Sequence, residues 1–461
     1  KSIIPLLLLL ALATLSTRLF SLPLNRVIES RYCAEYYHSP SPPEAQCKID
    51  WVQRRLAWLQ GVIETAVIGV DLGVAVPAAW VGDRWREKGR GRRAVLAANL
   101  LGWAGVVVWV VIVGHLEGVL PVSAMAAAPF FALIGGHDCV LNSAVFAIVT
   151  DLTDDLYLNR TSYIAYITSV NYVVSLFGPS LASAAMTVNL WLPFYLSIGF
   201  LISALPVVYF LPLDNRKWHD SPAKKASSSS SSSSSSDIEA APLLPSPFPS
   251  SPSPSSPPLP LKTRLTHLIQ QRPRFLLLLA SFLLTSLASS NTHLLPQYMS
   301  ARYARSFASV GPLLSLKAAT NIVLLTLVVP IGMRDDGGGD EANNNTHTSQ
   351  PIGLNIDAAL LSLLISVCGA CSIAAAPSVP ILVAALLLYA LGSALPVFTM
   401  ALVDATRPSN SSATARVYTV VMVVKTIGSL VGAPLMTAVW VAGIGVGGAG
   451  LGLPFWVSAV S

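Results

Sequence analysis

Six ionisable residues stand inside long apolar stretches of this chain: Glu64, Asp71, His137, Asp138, Lys317 and Lys425. A charge in such surroundings is costly to keep and is by default a candidate for binding or proton transfer. Asp71 precedes Asp83 by twelve residues, about 18 Å on a helix. Asp138 precedes Asp151 by thirteen and reaches a similar depth. His137 places an imidazole, which titrates near neutrality, beside the Asp138 carboxylate, a pairing suited to proton uptake and release. Each residue also has a plainer reading as a structural ion pair or a snorkelling side chain. Arg18 is read as lying near the surface end of its stretch. Cys33 and Cys47 fall in one polar loop and are candidates for a disulfide if that loop faces an oxidising space. Cys368 and Cys371 lie in an apolar segment with no partner pair and read as packing. Asp151, Asp154 and Asp155 form a carboxylate cluster, but a metal site of that kind needs a second cluster facing it. The H-E-x-x-H, G-x-S-x-G and P-loop patterns are all missing from the sequence. No enzyme activity, metal or cofactor is expected.

The elements that must hold these residues follow from composition. Of 461 residues, 53% are hydrophobic and only 11% charged, and the mean hydropathy is +0.61. Soluble domains carry about 25% charge, so this chain cannot cover a water-facing surface of its size. An ordinary cytosolic enzyme, a secreted disulfide scaffold and a disordered chain are excluded. What remains is an all-α polytopic membrane protein. At about 20 apolar residues per crossing, spans are expected at 2–22, 56–82, 94–115, 121–150, 162–188, 190–211, 275–295, 308–331, 357–376, 380–404 and 415–441. The piece 451–461 is too short to cross and reads as the start of a twelfth, with both ends of the chain clipped. Segment 2–22 also fits a signal peptide, but the internal repeat requires it as a span.

Loop charge orients the chain. With the amino terminus in the cytoplasm, inner loops hold 18 lysines and arginines and outer loops hold 7, the bias expected of cytoplasmic loops. The net charge of +6 therefore reflects topology, and no nucleic-acid partner is expected. Under this orientation the sequons at Asn159, Asn344 and Asn410 are chance matches on inner loops.

The chain reads as two related halves, 1–212 and 274–461, joined by a disordered cytoplasmic linker at 213–273. The linker holds ten consecutive serines, Ser227 to Ser236, followed by a proline-rich run, a composition that cannot offset its ordering entropy. Pro77 and Pro330 stand 253 residues apart, as do Asp151 and Asp404, and Glu64 and Lys317. Ser175-Leu176-Phe177-Gly178 and Ser429-Leu430-Val431-Gly432 stand 254 apart. An even number of spans per half makes the repeat parallel, about an axis along the membrane normal.

The loop Gly82-Asp83-Arg84-Trp85-Arg86-Glu87-Lys88-Gly89-Arg90-Gly91-Arg92-Arg93 resembles the signature loop of the major facilitator superfamily. Asp83-Arg84 and Gly91-Arg92-Arg93 carry the likeness. About five extra residues separate the two parts, and Ala79 stands where the family has glycine. Arg31-Tyr32-Cys33, Tyr36-Tyr37 and Cys47-Lys48-Ile49 resemble the first outer loop of fungal members. The resemblance implies a six-plus-six helix fold and a gating latch. In that latch Asp83 would face the amino end of the eleventh span, and Arg92 or Arg93 would pair with Asp151. Arg334 and Asp404 would form a weaker copy in the second half. It also sets the second span against the eleventh, so that Asp71 and Lys425 would pair until protonation separates them. Gly178-Pro179 in the fifth span resembles part of the glycine-proline motif of proton antiporters, without its upstream glycines. Proline removes a helix hydrogen bond and glycine allows close approach, so this pair is expected to act as a helix kink.

The function implied is that of a monomeric secondary active transporter in a plasma or vacuolar membrane. It would move a small organic solute by alternating access, coupled to protons, with the lipid bilayer as its other partner. Solute import and proton-driven drug or toxin export both stay open. A nutrient sensor that kept the fold without flux is the reading of another class.

Overall fold

A computed structural model describes residues 3–39, 42–84, 91–116, 119–152, 157–211, 273–324, 350–392, 395, 399 and 411–460. Helices dominate these residues. The first half contains α1 (Ile4–Tyr37), α2 (Asp50–Arg84), α3 (Gly91–His115), α4 (Asp138–Leu152), α5 (Tyr157–Val188) and α6 (Leu192–Phe210). The second contains α7 (Pro273–Ser289), α8 (Leu295–Arg302), α9 (Phe307–Val323), α10 (Gln350–Ala375), α11 (Val379–Leu391), α12 (Ser411–Val446) and α13 (Leu453–Val460). Among the described residues, eight segments are long and apolar enough to cross a bilayer, and three shorter apolar helices accompany them. Contacts gather 1–212 and 274–461 into one unit. The linker expected at 213–273 lies outside the described residues, except Pro273.

Three spans depart most from expectation. The first helix does not stop at Leu22-Pro23 but continues to Tyr37. Leu22, Pro23, Leu24, Asn25, Val27 and Ile28 are all buried there, so packing outweighs the hydrogen bond that Pro23 forgoes. The fourth span is not one helix. A 3₁₀ segment, Val122–Ile134, precedes α4, and the two are separated at 135–137. Gly136 has φ +75° at the break, a conformation that suits glycine. The seventh span is likewise divided, α7 giving way to a 3₁₀ turn, Ser290–Leu294, and then α8.

Buried contacts join the helices of the first half. Phe20 of α1 meets Trp103 of α3 and Phe194 of α6, with ring centroids 5.2 and 5.8 Å away. Ser16 and Ser197 share a hydrogen bond of 2.5 Å between α1 and α6. The two halves meet along α5 with α9 and along α2 with α12. Gly311 lies against the Pro179 carbonyl and Ser183, and Gly61 against Thr437, with no room for a Cβ at either. Ser180 donates to Ser315 at 2.8 Å across the first of these seams.

Candidate functional site

The break in the fourth span is organised by Asp71. This buried carboxylate of α2 accepts the backbone N–H groups of His137 and Cys139, both at 2.8 Å. The first N–H groups of any helix lack intrahelical partners, and the helix dipole favours negative charge there. Asp71 is thus a cap supplied by another helix. The Asn99 side chain completes the support, donating to the carbonyls of Gly135 and His137 at 3.1 and 3.0 Å. The His137 ring lies 4.3 Å from Trp103, and its Nδ1 is 3.7 Å from Asp138 Oδ1. Asp138 itself is 56% exposed. Among the described residues no ion pair joins Asp71 to Lys425, contrary to expectation; the Asp71 oxygens instead accept from the start of α4. The Lys425 carbonyl accepts from Ser286 of α7 at 2.6 Å.

Glu64 and Lys317 occupy related positions but have unrelated neighbours. Glu64 Oε1 is 3.2 Å from His293 Nδ1, so this pair crosses from α2 in the first half to the 3₁₀ turn after α7 in the second. The Lys317 ammonium of α9 lies over the Tyr389 ring of α11, 4.9 Å from its centroid. Arg18 is not near a helix end. It is fourteen residues from Ile4, and its Cβ abuts Gly178 of α5, 2.6 Å from where a Cβ there would stand. Gly178-Pro179 thus lies inside a continuous α5, against α1 on one side and Gly311 of α9 on the other.

At the end of the bundle where α1 passes to α2, the halves are joined by a buried charged cluster. Lys48 Nζ bonds Glu29 Oε1 at 2.7 Å, with side chains 7% and 0% exposed. It also reaches Glu44 at 3.5 Å and donates to Ser300 Oγ of α8 at 2.5 Å. Arg26 approaches Glu29 at 3.1 Å and Glu44 at 3.4 Å, and Gln53 donates to Glu29 at 2.7 Å. Glu44 also accepts the Phe307 backbone N–H at 2.9 Å, which ties it to the start of α9. Gln297 donates to Asn25 at 3.0 Å as a further link between the halves. Cys33 and Cys47 are joined by a disulfide, with Cα atoms 5.3 Å apart. That bond fixes the 3₁₀ turn Glu44–Cys47, and so Glu44 and Lys48, to α1.

Of the latch expected at the opposite end, less is described. Asp83, Arg84 and Asp151 lie in helices, but their side chains are outside the described residues, as are Arg334 and Asp404 altogether. Gly91 and Arg92 open α3. Arg93 donates to the Leu211 carbonyl at 2.6 Å and stands 6.0 Å from the Tyr209 ring, closing the end of α6. Sequence reasoning missed His293, Ser300 and the Glu29–Glu44–Lys48 cluster. The signal was the charge density of 26–48, which a reading of that stretch as a plain loop set aside.

Comparison with known proteins agrees with this architecture. The sequence model of the Major Facilitator Superfamily matches residues 51–334, more than half of the chain. The MFS efflux pump atnC of Emericella nidulans is 26% identical over 475 residues, covering 100% of this chain and 86% of that protein. The MFS-type transporter avaK of Aspergillus versicolor is 23% identical over 75% of this chain and 70% of its own length. Among solved structures, a D-xylose–proton symporter superposes with a TM-score of 0.63 at 12% identity, covering 99% of this chain and 96% of that one. A helical membrane fold of two abutting halves, with a family match of this extent, places the protein: the chain belongs to the Major Facilitator Superfamily and is a multi-pass membrane transporter of fungal type.

Proposed function

We propose that this chain exports a small organic solute by proton-coupled alternating access. One observation carries the reading: the halves are tied together at one end by a buried charged cluster, while ionisable side chains stand at their interface deeper in the bundle. Under the orientation set by loop charge, the tied end faces outside, the amino terminus lies in the cytoplasm, and solute enters from the cytoplasm. Two curated relatives are named efflux pumps, atnC among them, which supports export over import. The protein acts as a monomer in the plasma or vacuolar membrane. Asp83, Arg84, Gly91, Arg92, Arg93 and Asp151 form the inner latch.

Proton coupling is assigned to Glu64 and His293. Their contact spans the halves, so its strength bears on whether the halves stay together. With Glu64 ionised and His293 protonated the pair attracts; protonation of Glu64 removes that attraction and loosens the seam. Asp71 is given a different task, because its oxygens are engaged by backbone N–H groups.

The test is flux in proteoliposomes with an imposed pH gradient, using a panel of labelled organic solutes. Wild type should drive at least one solute against its concentration gradient, and Glu64→Gln should keep passive exchange but lose that accumulation. Gradient-driven flux by Glu64→Gln equal to wild type would refute the coupling assignment. Solute binding without flux in any condition would favour the sensor reading.

A further inference from the structure

Charges at the half-interface are not all balanced. Glu64 has His293, but Arg18 and Lys317 have no carboxylate partner among the described residues. They come from different halves, Arg18 from α1 and Lys317 from α9. The packing explains why they converge. Arg18 lies against Gly178 of α5, and the next residue, Pro179, lies against Gly311 of α9. Ser180, two residues beyond Gly178, donates to Ser315 of α9 at 2.8 Å, and Lys317 follows Ser315 by two residues, so both cations stand at one level of this seam. Two like charges at membrane depth are unfavourable without an anion to compensate them. We propose that Arg18 and Lys317 bind the anionic group of the transported solute, and that the solute class is organic carboxylates.

The side chains suit that ligand. A guanidinium presents two parallel N–H donors that match a carboxylate, while an ammonium acts as a point charge. Arg18 is exposed rather than packed away. The Tyr389 ring beside Lys317 gives an apolar, aromatic wall against which the organic part can rest. A carboxylate held by both cations also bridges the two halves. This inference rests on the transport reading for its biological meaning, but its binding chemistry can be tested alone.

Binding is measured by calorimetry on the purified full chain in detergent. The probes are benzoate, 2-naphthoate and 1-pyrenebutyrate, each beside its neutral amide and an amine of the same skeleton. At least one carboxylate should bind about tenfold or more tightly than its amide, in line with a charge-assisted hydrogen bond. Arg18→Gln and Lys317→Gln should each reduce that preference about tenfold, whereas Arg18→Lys and Lys317→Arg should retain part of it. The conservative pair keeps the test valid if a neutral variant fails to fold. The proposal is overturned if no carboxylate binds better than its amide, or if the neutral variants keep the wild-type preference. Carboxylate binding without flux would refute transport and leave this site standing. Flux of neutral or cationic solutes with no preference for carboxylates would refute the site and leave transport standing.

Discussion

Asp71 separates a structural carboxylate from a proton-coupling one, and the difference can be measured. It accepts two backbone N–H groups at 2.8 Å where α4 begins, in a buried setting. Removing an acceptor leaves a buried donor unsatisfied at about 1–3 kcal/mol each. Asp71→Ala loses both bonds, so about 2–6 kcal/mol is at stake. Loss of negative charge at a helix amino end adds up to ~2 kcal/mol. Asp71→Asn keeps one carbonyl acceptor and should fall between Ala and wild type. Thermal unfolding of purified protein, followed by fluorescence-detected size exclusion, should therefore rank wild type above Asn and Asn above Ala. The pH profile of flux in Asp71→Asn should match wild type if the carboxylate serves as the cap seen here, with both oxygens engaged by N–H groups. A melting temperature for Asp71→Ala equal to wild type would refute the cap. A displaced pH midpoint in Asp71→Asn would show that the carboxylate carries the coupling proton instead.

Other outcomes follow from the seams between the halves. Lys48→Ala leaves the buried Glu29 with only Arg26 and Gln53, and its cost should fall below the ~3–5 kcal/mol of a fully uncompensated buried charge; spin labels at Tyr37 and Ser309 should move apart, and an unchanged distance distribution would count against the cluster as a gate. Gly311→Val sets a side chain against the Pro179 carbonyl and Ser183; it should abolish flux while leaving a monodisperse protein, and near-normal flux would show that α5 and α9 need not close. Cys33→Ser removes a bond across a sequence separation of 14, worth about 3 kcal/mol by loop closure; melting should drop in the variant and, with reductant, in wild type, and equal melting in all three would show that the bond adds no stability.

The parts of the fold that were legible in the sequence rest on bulk properties and on one dense motif. Low charge and long apolar runs demand spans, and Asp83-Arg84 with Gly91-Arg92-Arg93 points to the superfamily. The depth of Asp71 was also legible, because a carboxylate in an apolar run stands out. Its partner was not, since the partner is backbone and backbone N–H groups leave no mark on composition. Gly135-Gly136 was the available sign of a broken helix. Arg18 was misplaced because Leu22-Pro23 reads as a helix end, and only the burial of 22–28 keeps the helix going. The repeat paired Glu64 with Lys317 by position, yet opposite charges at equivalent sites cannot have equivalent neighbours. Symmetry in sequence located the residues without fixing what they touch.

That broken symmetry bears on how a solute could drive the cycle. A ligand moves an equilibrium only by its difference in affinity between the two states. Arg18 and Lys317 belong to opposite halves, so an anion can hold both only in the state that brings α1, α5 and α9 together. One charge-assisted hydrogen bond made in that state alone is worth about 1.5–3 kcal/mol, or roughly 10- to 150-fold in population. The tied end has its own compensated charges and needs no ligand to stay closed. In the proposed cycle the solute's work would be done at the centre, where its anionic group would hold cations from both halves. In that cycle, proton transfer at Glu64 would act on a separate contact across the same interface. Two independent contacts on one seam let the proton and the solute bias a single equilibrium without sharing a site, so loss of one should alter coupling while binding at the other persists.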